Sequence, residues 1–218
     1  MFVPKSVHRV PFSEVRRMSK NFNIVISGVG GQGNILTSQI IAKAAIKAGL
    51  EVRAIGTYGA AQRGGSVISH VRIGDFVRSP FVCTGEADVI IGFEIAEARR
   101  ILKYLKKGGL AIVNTAEIYP VEVIMGLEKY PLKENLLKPI EVVADKTIAF
   151  NATSLARKSG SVLSMNIVMT GALAATGALP FSEDLLIDAL KNFIPAKYYD
   201  LNLEAYKKGY IKIKGIMG

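Results

Sequence analysis

The sequence predicts an α/β protein: a three-layer α/β/α Rossmann-like sandwich with a mostly parallel, mixed sheet and an inserted β-hairpin. Three observations predict it. Strand-like and helix-like runs alternate from Asn23 onward, the alternation that builds layered α/β folds. Several of the strand-like runs are apolar at every position, as in NIVIS and ADVIIGF, the pattern of strands covered on both faces. A glycine-rich turn, Gly28-Val29-Gly30-Gly31-Gln32-Gly33, joins the first such run to the first helix-like one.

Taken in order, residues 23–27 read as the first buried strand. Residues 34–48 carry Ile35, Leu36, Ile40, Ile41, Ala44, Ala45 and Ala48 at helical spacing, with Gly49 placed to stop the helix. Residues 51–55 read as a second strand, so 23–55 form one βαβ unit. Residues 66–73 and 76–79 flank Gly74-Asp75 and predict an antiparallel hairpin. Residues 87–93 are a strand and 94–107 a helix, with Ile95, Ala98, Ile101, Leu102 and Leu105 on one face and Gly108-Gly109 ending it. Residues 110–114 and 141–144 read as strands. Helices follow over 146–158, 165–176 and 182–192, the last with Ser182 as N-cap, and a short piece over 201–208 closes the set. Residues 1–17 read as a loosely attached extension ahead of Met18-Ser19-Lys20, and residues 18–218 as a single domain.

Composition narrows the function. Cys83 is the only cysteine, so the chain forms no internal disulfide and cannot itself ligate an iron–sulfur cluster. A reducing, cytoplasmic setting fits, and three glutamines beside many lysines lean towards a thermophile. The formal charge of +10 favours anionic company, yet no groove-reading or base-stacking nucleic-acid module is recognised. From Ser159 to Ser182 no side chain is charged, but glycine, serine, asparagine and proline dilute the run, which predicts a buried helix and no membrane span.

The glycine turn satisfies G-x-G-x-x-G between a strand and a helix, where backbone N–H groups can approach an anion at the positive helix end. Glycines kept only for tight packing are the alternative. A nicotinamide dinucleotide also needs a carboxylate roughly twenty residues on; the second strand ends Arg53-Ala54-Ile55-Gly56-Thr57-Tyr58 without one. A second constellation, Tyr58, Gln62, Arg63, Gly64, Gly65 and Ser66, stands at that strand's carboxyl end, where open α/β sheets place ligands. A guanidinium among glycines suits a carboxylate or phosphate. No nucleophile, general base or metal-ligand set stands out. His70 reads as structural, Cys83 as a packed small residue, Glu94 as an interface or site candidate, and Asn166 as a helix-start residue that either caps or binds.

The stretches GVGGQGN (28–34), AAQRGGSVISHVRIG (60–74), ADVIIGFEIAEARR (87–100) and LKKGGLAIVNT (105–115) occur in an order that resembles the gamma-type domain of the pyruvate/2-oxoacid:ferredoxin oxidoreductase family. Gln62-Arg63-Gly64-Gly65-Ser66-Val67 with Phe93-Glu94 and Asn114-Thr115 is similar to the indolepyruvate branch, whereas Tyr58-Gly59-Ala60 resembles the pyruvate branch. The resemblance implies one subunit of a complex that oxidatively decarboxylates 2-oxoacids, with thiamine diphosphate, 4Fe–4S clusters and coenzyme A in the complex and none held by this chain alone. It implies a larger thiamine- and cluster-bearing partner, with ferredoxin served through the complex; self-association into a homodimer stays open. It places Gly28, Gly30, Gly31, Gln32 and Gly33, with Tyr58, Gln62, Arg63, Gly64, Gly65 and Ser66, at the cofactor cavity. A stand-alone nucleotide-binding dehydrogenase and a purely structural subunit without cofactor contact remain the rival readings.

Overall fold

The computed structural model describes residues 20–58, 65–75, 77–119 and 121–217, so the extension expected over 1–17 lies outside the described residues. Its middle layer is a six-stranded sheet in the order β2-β3-β1-β4-β5-β6. The strands are β1 (Phe22–Val29), β2 (Val52–Tyr58), β3 (Ser66–Ile73), β4 (Ala87–Gly92), β5 (Leu105–Asn114) and β6 (Lys146–Phe150). β1, β4, β5 and β6 pair in parallel, while β3 runs antiparallel to both β2 and β1. The mixed, mostly parallel sandwich expected from the sequence is present.

Alternation along the strands sends side chains to two separate cores. Ile24, Ile26, Val89, Ile91 and Ile112 pack against α1 (Asn34–Lys47), α5 (Ala152–Lys158), α6 (Met165–Ala175), α7 (Glu183–Phe193) and α8 (Ala196–Met217). Val25, Ile90, Ala111 and Val113 face α2 (Ile95–Arg100) and α4 (Lys133–Val143) on the other side. Both faces are dry, which is why these strands read as unbroken apolar runs. A one-turn helix, α3 (Val121–Ile124), precedes α4.

Several elements differ from the sequence reading. The hairpin is formed by β2 and β3, not across Gly74-Asp75; Gly74, at φ +140°, instead leads the chain out of the sheet, and residues 77–79 are not strand. β3 therefore lies between β1 and β2, so the 23–55 unit is a crossover with an antiparallel strand inserted in it. The helix expected over 94–107 stops at Arg100, followed by a 3₁₀ turn (Leu102–Tyr104) and then β5, which starts before the two glycines. Ile95, Ala98, Ile101, Leu102 and Leu105 are all buried as the periodicity required; spacing of this kind marks burial more firmly than it marks backbone type. Residues 141–144 are not a strand, since 141–143 form the last turn of α4, whose Leu136 and Ile140 bury one face across Pro139. The helix expected over 146–158 is β6 followed by α5, with Asn151 capping α5 through Ser154 N (2.8 Å). The short C-terminal piece is the 22-residue α8. Cys83 is exposed rather than packed.

α6 carries the uncharged stretch that resembled a membrane span, and ten of its eleven residues are buried. No described helix is long and apolar enough to cross a membrane. Its contact with α8 is backbone to backbone: a Cβ on Gly171 would lie 2.1 Å from Tyr206 O, and one on Gly209 would lie 1.9 Å from Val168 O. Helices can approach this closely only where side chains are missing. We predict that Gly209→Ala lowers stability by roughly 1–3 kcal/mol through overpacking, despite the ~1 kcal/mol better helix propensity of alanine. Gly215→Ala, on the same helix with open space around it, is expected to stabilise; urea unfolding of both variants checks the pair.

His70, on β3, is 3% exposed, accepts a hydrogen bond from Val82 N at Nδ1 (3.3 Å) and meets the rings of Phe81 and Tyr104 edge-on. Accepting at Nδ1 requires the neutral ring, and burial lowers its pKa. The unfolded chain, with histidine near its ordinary value of about 6.5, then binds the proton more readily than the folded one. Stability contributed by neutral His70 is present above that value and is lost as pH falls through the depressed folded pKa. The expected outcome is an unfolding midpoint that drops below about pH 6.5 in the natural chain and is flatter there in His70→Gln.

Candidate functional site

The carboxyl ends of β1, β2, β4, β5 and β6 meet along one edge of the sheet, and β3 begins there. The glycine turn leaves β1 at this edge. Gln32 folds back over it: its Oε1 accepts from Val29 N (2.7 Å) and its Nε2 donates to Phe93 O (3.0 Å). A Cβ on Gly28 would sit 2.6 Å from Gln32 Oε1 and 2.9 Å from Phe93 Cβ. Gly28 is thus required by the protein's own packing. Gly33, at φ +83°, faces Asn166, whose Nδ2 would lie 2.6 Å from an added Cβ. Gly31, at φ +98°, has open space before it and is exposed.

The two constellations expected from the sequence meet. Gly30 N donates to Gly65 O (2.8 Å), so the glycine turn is tied to the base of the loop that joins β2 to β3. Tyr58 ends β2 and Ser66 starts β3. Gln62, Arg63 and Gly64 lie outside the described residues. Ser66 Oγ donates to Glu97, on α2, which also accepts from Arg100 Nε (3.2 Å). Glu94 is the N-cap of α2, accepting from Glu97 N (2.9 Å) and from the Tyr130 hydroxyl. Burial and the Glu94 carboxylate push the Tyr130 phenol far above its usual value, so it remains a donor throughout the physiological range. His70, on the α2 side of β3, takes no part.

Three residues of this edge, all inside stretches that carry the family resemblance, were given no role by the sequence. Asn114 is fully buried; its Nδ2 donates to Phe93 O (2.9 Å) and Thr153 Oγ1 (2.9 Å), and its Oδ1 accepts from Ala152 N (3.0 Å) and Ala116 N (3.3 Å). Glu97 was hidden inside a helical charge pattern, although Glu94-x-x-Glu97 after a strand is a capping signal. Asn34 Nδ2 donates to Val67 O (2.8 Å), while its buried Oδ1 has no partner. Nothing in a lone asparagine announces such a role.

Beside the glycine turn lies a cavity of about 620 Å³, walled by Gly31, Gly33 and Leu36 on one side and by Asn166, Phe193 and Tyr198 on the other. Its size is that of small-molecule sites. Among the described residues no group of three or more His, Cys, Asp or Glu side chains could hold a metal ion.

Residues 23–211 match the family described as pyruvate ferredoxin/flavodoxin oxidoreductase. The chain belongs to that family. It is 47% identical over 188 residues to the indolepyruvate oxidoreductase subunit IorB of Archaeoglobus fulgidus, covering 86% of this chain and 93% of the relative. It is 41% identical to the subunit of the same name from Thermococcus kodakarensis, covering 91% and 99%. The crystal structure of a keto/oxoacid ferredoxin oxidoreductase gamma subunit from Geobacter sulfurreducens superposes with a TM-score of 0.65 at 27% identity, covering 89% of this chain and 99% of that one. The family suggested by the order of motifs in the sequence is therefore the family to which the chain belongs. The stand-alone dehydrogenase is not favoured, in keeping with a glycine turn filled by this chain's own Gln32 and a second strand without a ribose-binding carboxylate.

We predict that Gln32→Ala lowers stability by about 1–3 kcal/mol, because it strands the Val29 N–H and removes one donor from Phe93 O. Amide hydrogen exchange at Val29 is expected to accelerate, with exchange in α7 unaltered.

Proposed function

We propose that this chain is the small, cluster-free subunit of an indolepyruvate-type 2-oxoacid:ferredoxin oxidoreductase, acting on aryl 2-oxoacids in the cytoplasm. The observation that carries the reading is the match along nearly the full length of both chains to subunits named for indolepyruvate. Identity of this extent outweighs the pyruvate-like Tyr58-Gly59-Ala60.

The single cysteine does not fit the clusters of the complex, since one cysteine cannot ligate a 4Fe–4S cluster. Thiamine diphosphate and the clusters therefore belong to a larger partner subunit in this reading, and electrons leave through that partner to ferredoxin. This chain's own contribution is a surface that completes or covers the partner's cavity. Gly30, Gly31, Gly65 and Ser66, with Tyr58, Gln62, Arg63 and Gly64, face that cavity, and Arg63 pairs with an anionic group of the 2-oxoacid or of coenzyme A. Gly28, Gln32 and Gly33 shape the turn from within.

A second reading has one specific observation in its favour. Gly28 and Gly33 are explained by Gln32 and Asn166 alone, as expected of a subunit that supports a partner without touching its cofactor.

Co-purification from native extract, followed by 2-oxoacid-dependent viologen reduction with coenzyme A, tests the assignment; the expected result is a thiamine- and iron-containing partner and activity on indolepyruvate or phenylpyruvate. Arg63→Ala in the reconstituted complex is expected to lower kcat/KM by about 10- to 100-fold, the loss of one charge-assisted hydrogen bond. Unchanged turnover with normal assembly would establish the purely structural role.

A further inference from the structure

The two edges of the sheet are finished differently. β6, at one end, is five residues long and opens on the exposed Lys146, and shortness and an edge lysine both keep a strand from pairing further. β2, at the other end, has neither device. It runs for seven residues without proline or lysine, and its register against β3 is continuous from Val52 to Tyr58, with no bulge. Among the described residues β3 is its one neighbour in the sheet, so the outer side of the strand faces no other strand. Arg53 is its single charge. α1 stands over the same edge: an added Cβ on Gly56 would lie 3.1 Å from Ile35 Cγ1. From Ile35, one flank of α1 continues through Gln39, Ala42 and Ile46 at helical spacing without a charge. Gln39 is exposed, and Ile46 is 47% exposed. The neighbouring Lys47 is drawn to Asp188 on α7.

We propose that β2 is the interface with a second copy of this chain, paired antiparallel about a twofold axis through Ile55 so that the two sheets become one. The surface is self-complementary. An axis perpendicular to the sheet keeps α1 of both copies on the same face, so their two uncharged flanks meet above the joined strands. Charge selects the register. Centred on Ile55, residues 52–58 of both copies pair along their whole length and Arg53 stands opposite Thr57. The two Arg53 positions are then about 14 Å apart along the strands, beyond a Debye length of about 8 Å. Centred on Arg53 or Ala54, they would be opposed directly or within about 7 Å, and like charges opposed across strands destabilise a pair. The area suffices. A seven-residue edge about 23 Å long, with the helix layer above it about 10 Å thick, buries roughly 500–600 Å² per copy, which clears the lower bound of about 1,000 Å² in total for a specific interface.

This pairing goes beyond the aryl 2-oxoacid reading and does not rest on it. The two copies of β2 run in opposite directions, so the carboxyl edges of the two sheets point away from each other. Each edge then stays open to its own larger subunit, and the complex has two independent sites related by the twofold axis.

Analytical ultracentrifugation of the full-length chain tests the pairing. The expected result is a monomer–dimer equilibrium with a Kd on the order of 10 µM, as suits an interface at the small end of the range. Ala54→Lys and Ile46→Lys, both at exposed positions, are each expected to raise that Kd about tenfold or more, since an added charge blunts an edge; unaltered circular dichroism shows that the fold survives. A cross-link reads the register. With Cys83→Ser removing the exposed native thiol, Ile55→Cys is expected to give an interchain disulfide on oxidation, because directly opposed residues have Cα atoms about 4.5–5.5 Å apart, inside the range a disulfide spans. Arg53→Cys is expected to give none. A chain that stays monomeric at every concentration, a dimer indifferent to both lysines, or cross-linking at Arg53 in preference to Ile55 overturns the proposal. So does a monomeric chain whose 53–57 amides exchange slowly only in the complex, which would assign the edge to a strand of the larger subunit. Loss of the function leaves the pairing intact: a chain that dimerises through β2 without 2-oxoacid activity in its complex refutes the function alone.

Discussion

The carbonyl of Phe93 is the point from which the carboxyl edge of the sheet is built. It accepts from Gln32 Nε2 and Asn114 Nδ2 together, while Phe93 N donates to Ser27 O (2.8 Å). One residue thus joins the ends of β1, β4 and β5. Asn114 extends the network through Thr153 and Ala152 to the start of α5. Removal of either amide would leave a buried acceptor short of a partner in a low-dielectric setting, where such groups are expensive. The glycine turn is shaped by this demand before any ligand arrives.

The antiparallel strand β3 gives that edge its second wall. By entering between β1 and β2 it returns the chain to the carboxyl edge at Ser66, next to Gly30. Gly65 and Ser66 are held from two directions, by Gly30 N and by the Glu97 carboxylate. Ser66, the first residue of β3, therefore has a fixed place at this edge. A parallel strand in this position would have placed its start at the opposite edge, far from the turn.

The far side of the edge depends on how closely α6 and α8 can approach. Gly171 and Gly209 let the two backbones touch, and this contact sets α8 so that Tyr198 and Leu201 reach the cavity where α6 begins. The uncharged composition of α6 follows from the same constraint: a helix surrounded by sheet and helices has no face left for charge.

Sequence alone determined the layered α/β class, the buried strands at β1 and β4, the helices α1, α6 and α7 and the family, because those features are written in local periodicity and in motifs that are contiguous along the chain. It also placed the glycine turn and the start of β3 at the carboxyl edge of the sheet, since turn glycines announce themselves locally. Tertiary structure decided what periodicity leaves degenerate. Ile95, Ala98, Ile101, Leu102 and Leu105 are buried at helical spacing although part of that segment is 3₁₀ turn and strand. Residues 146–150 take strand form because β5 offers an open edge beside them. The roles of Asn114, Glu97 and Asn166 arise from partners 21 to 39 residues away for Asn114, 31 for Glu97, and across the fold for Asn166. A polar side chain carries no local mark of its distant partner; only packing brings the two together and makes the unpaired alternative costly.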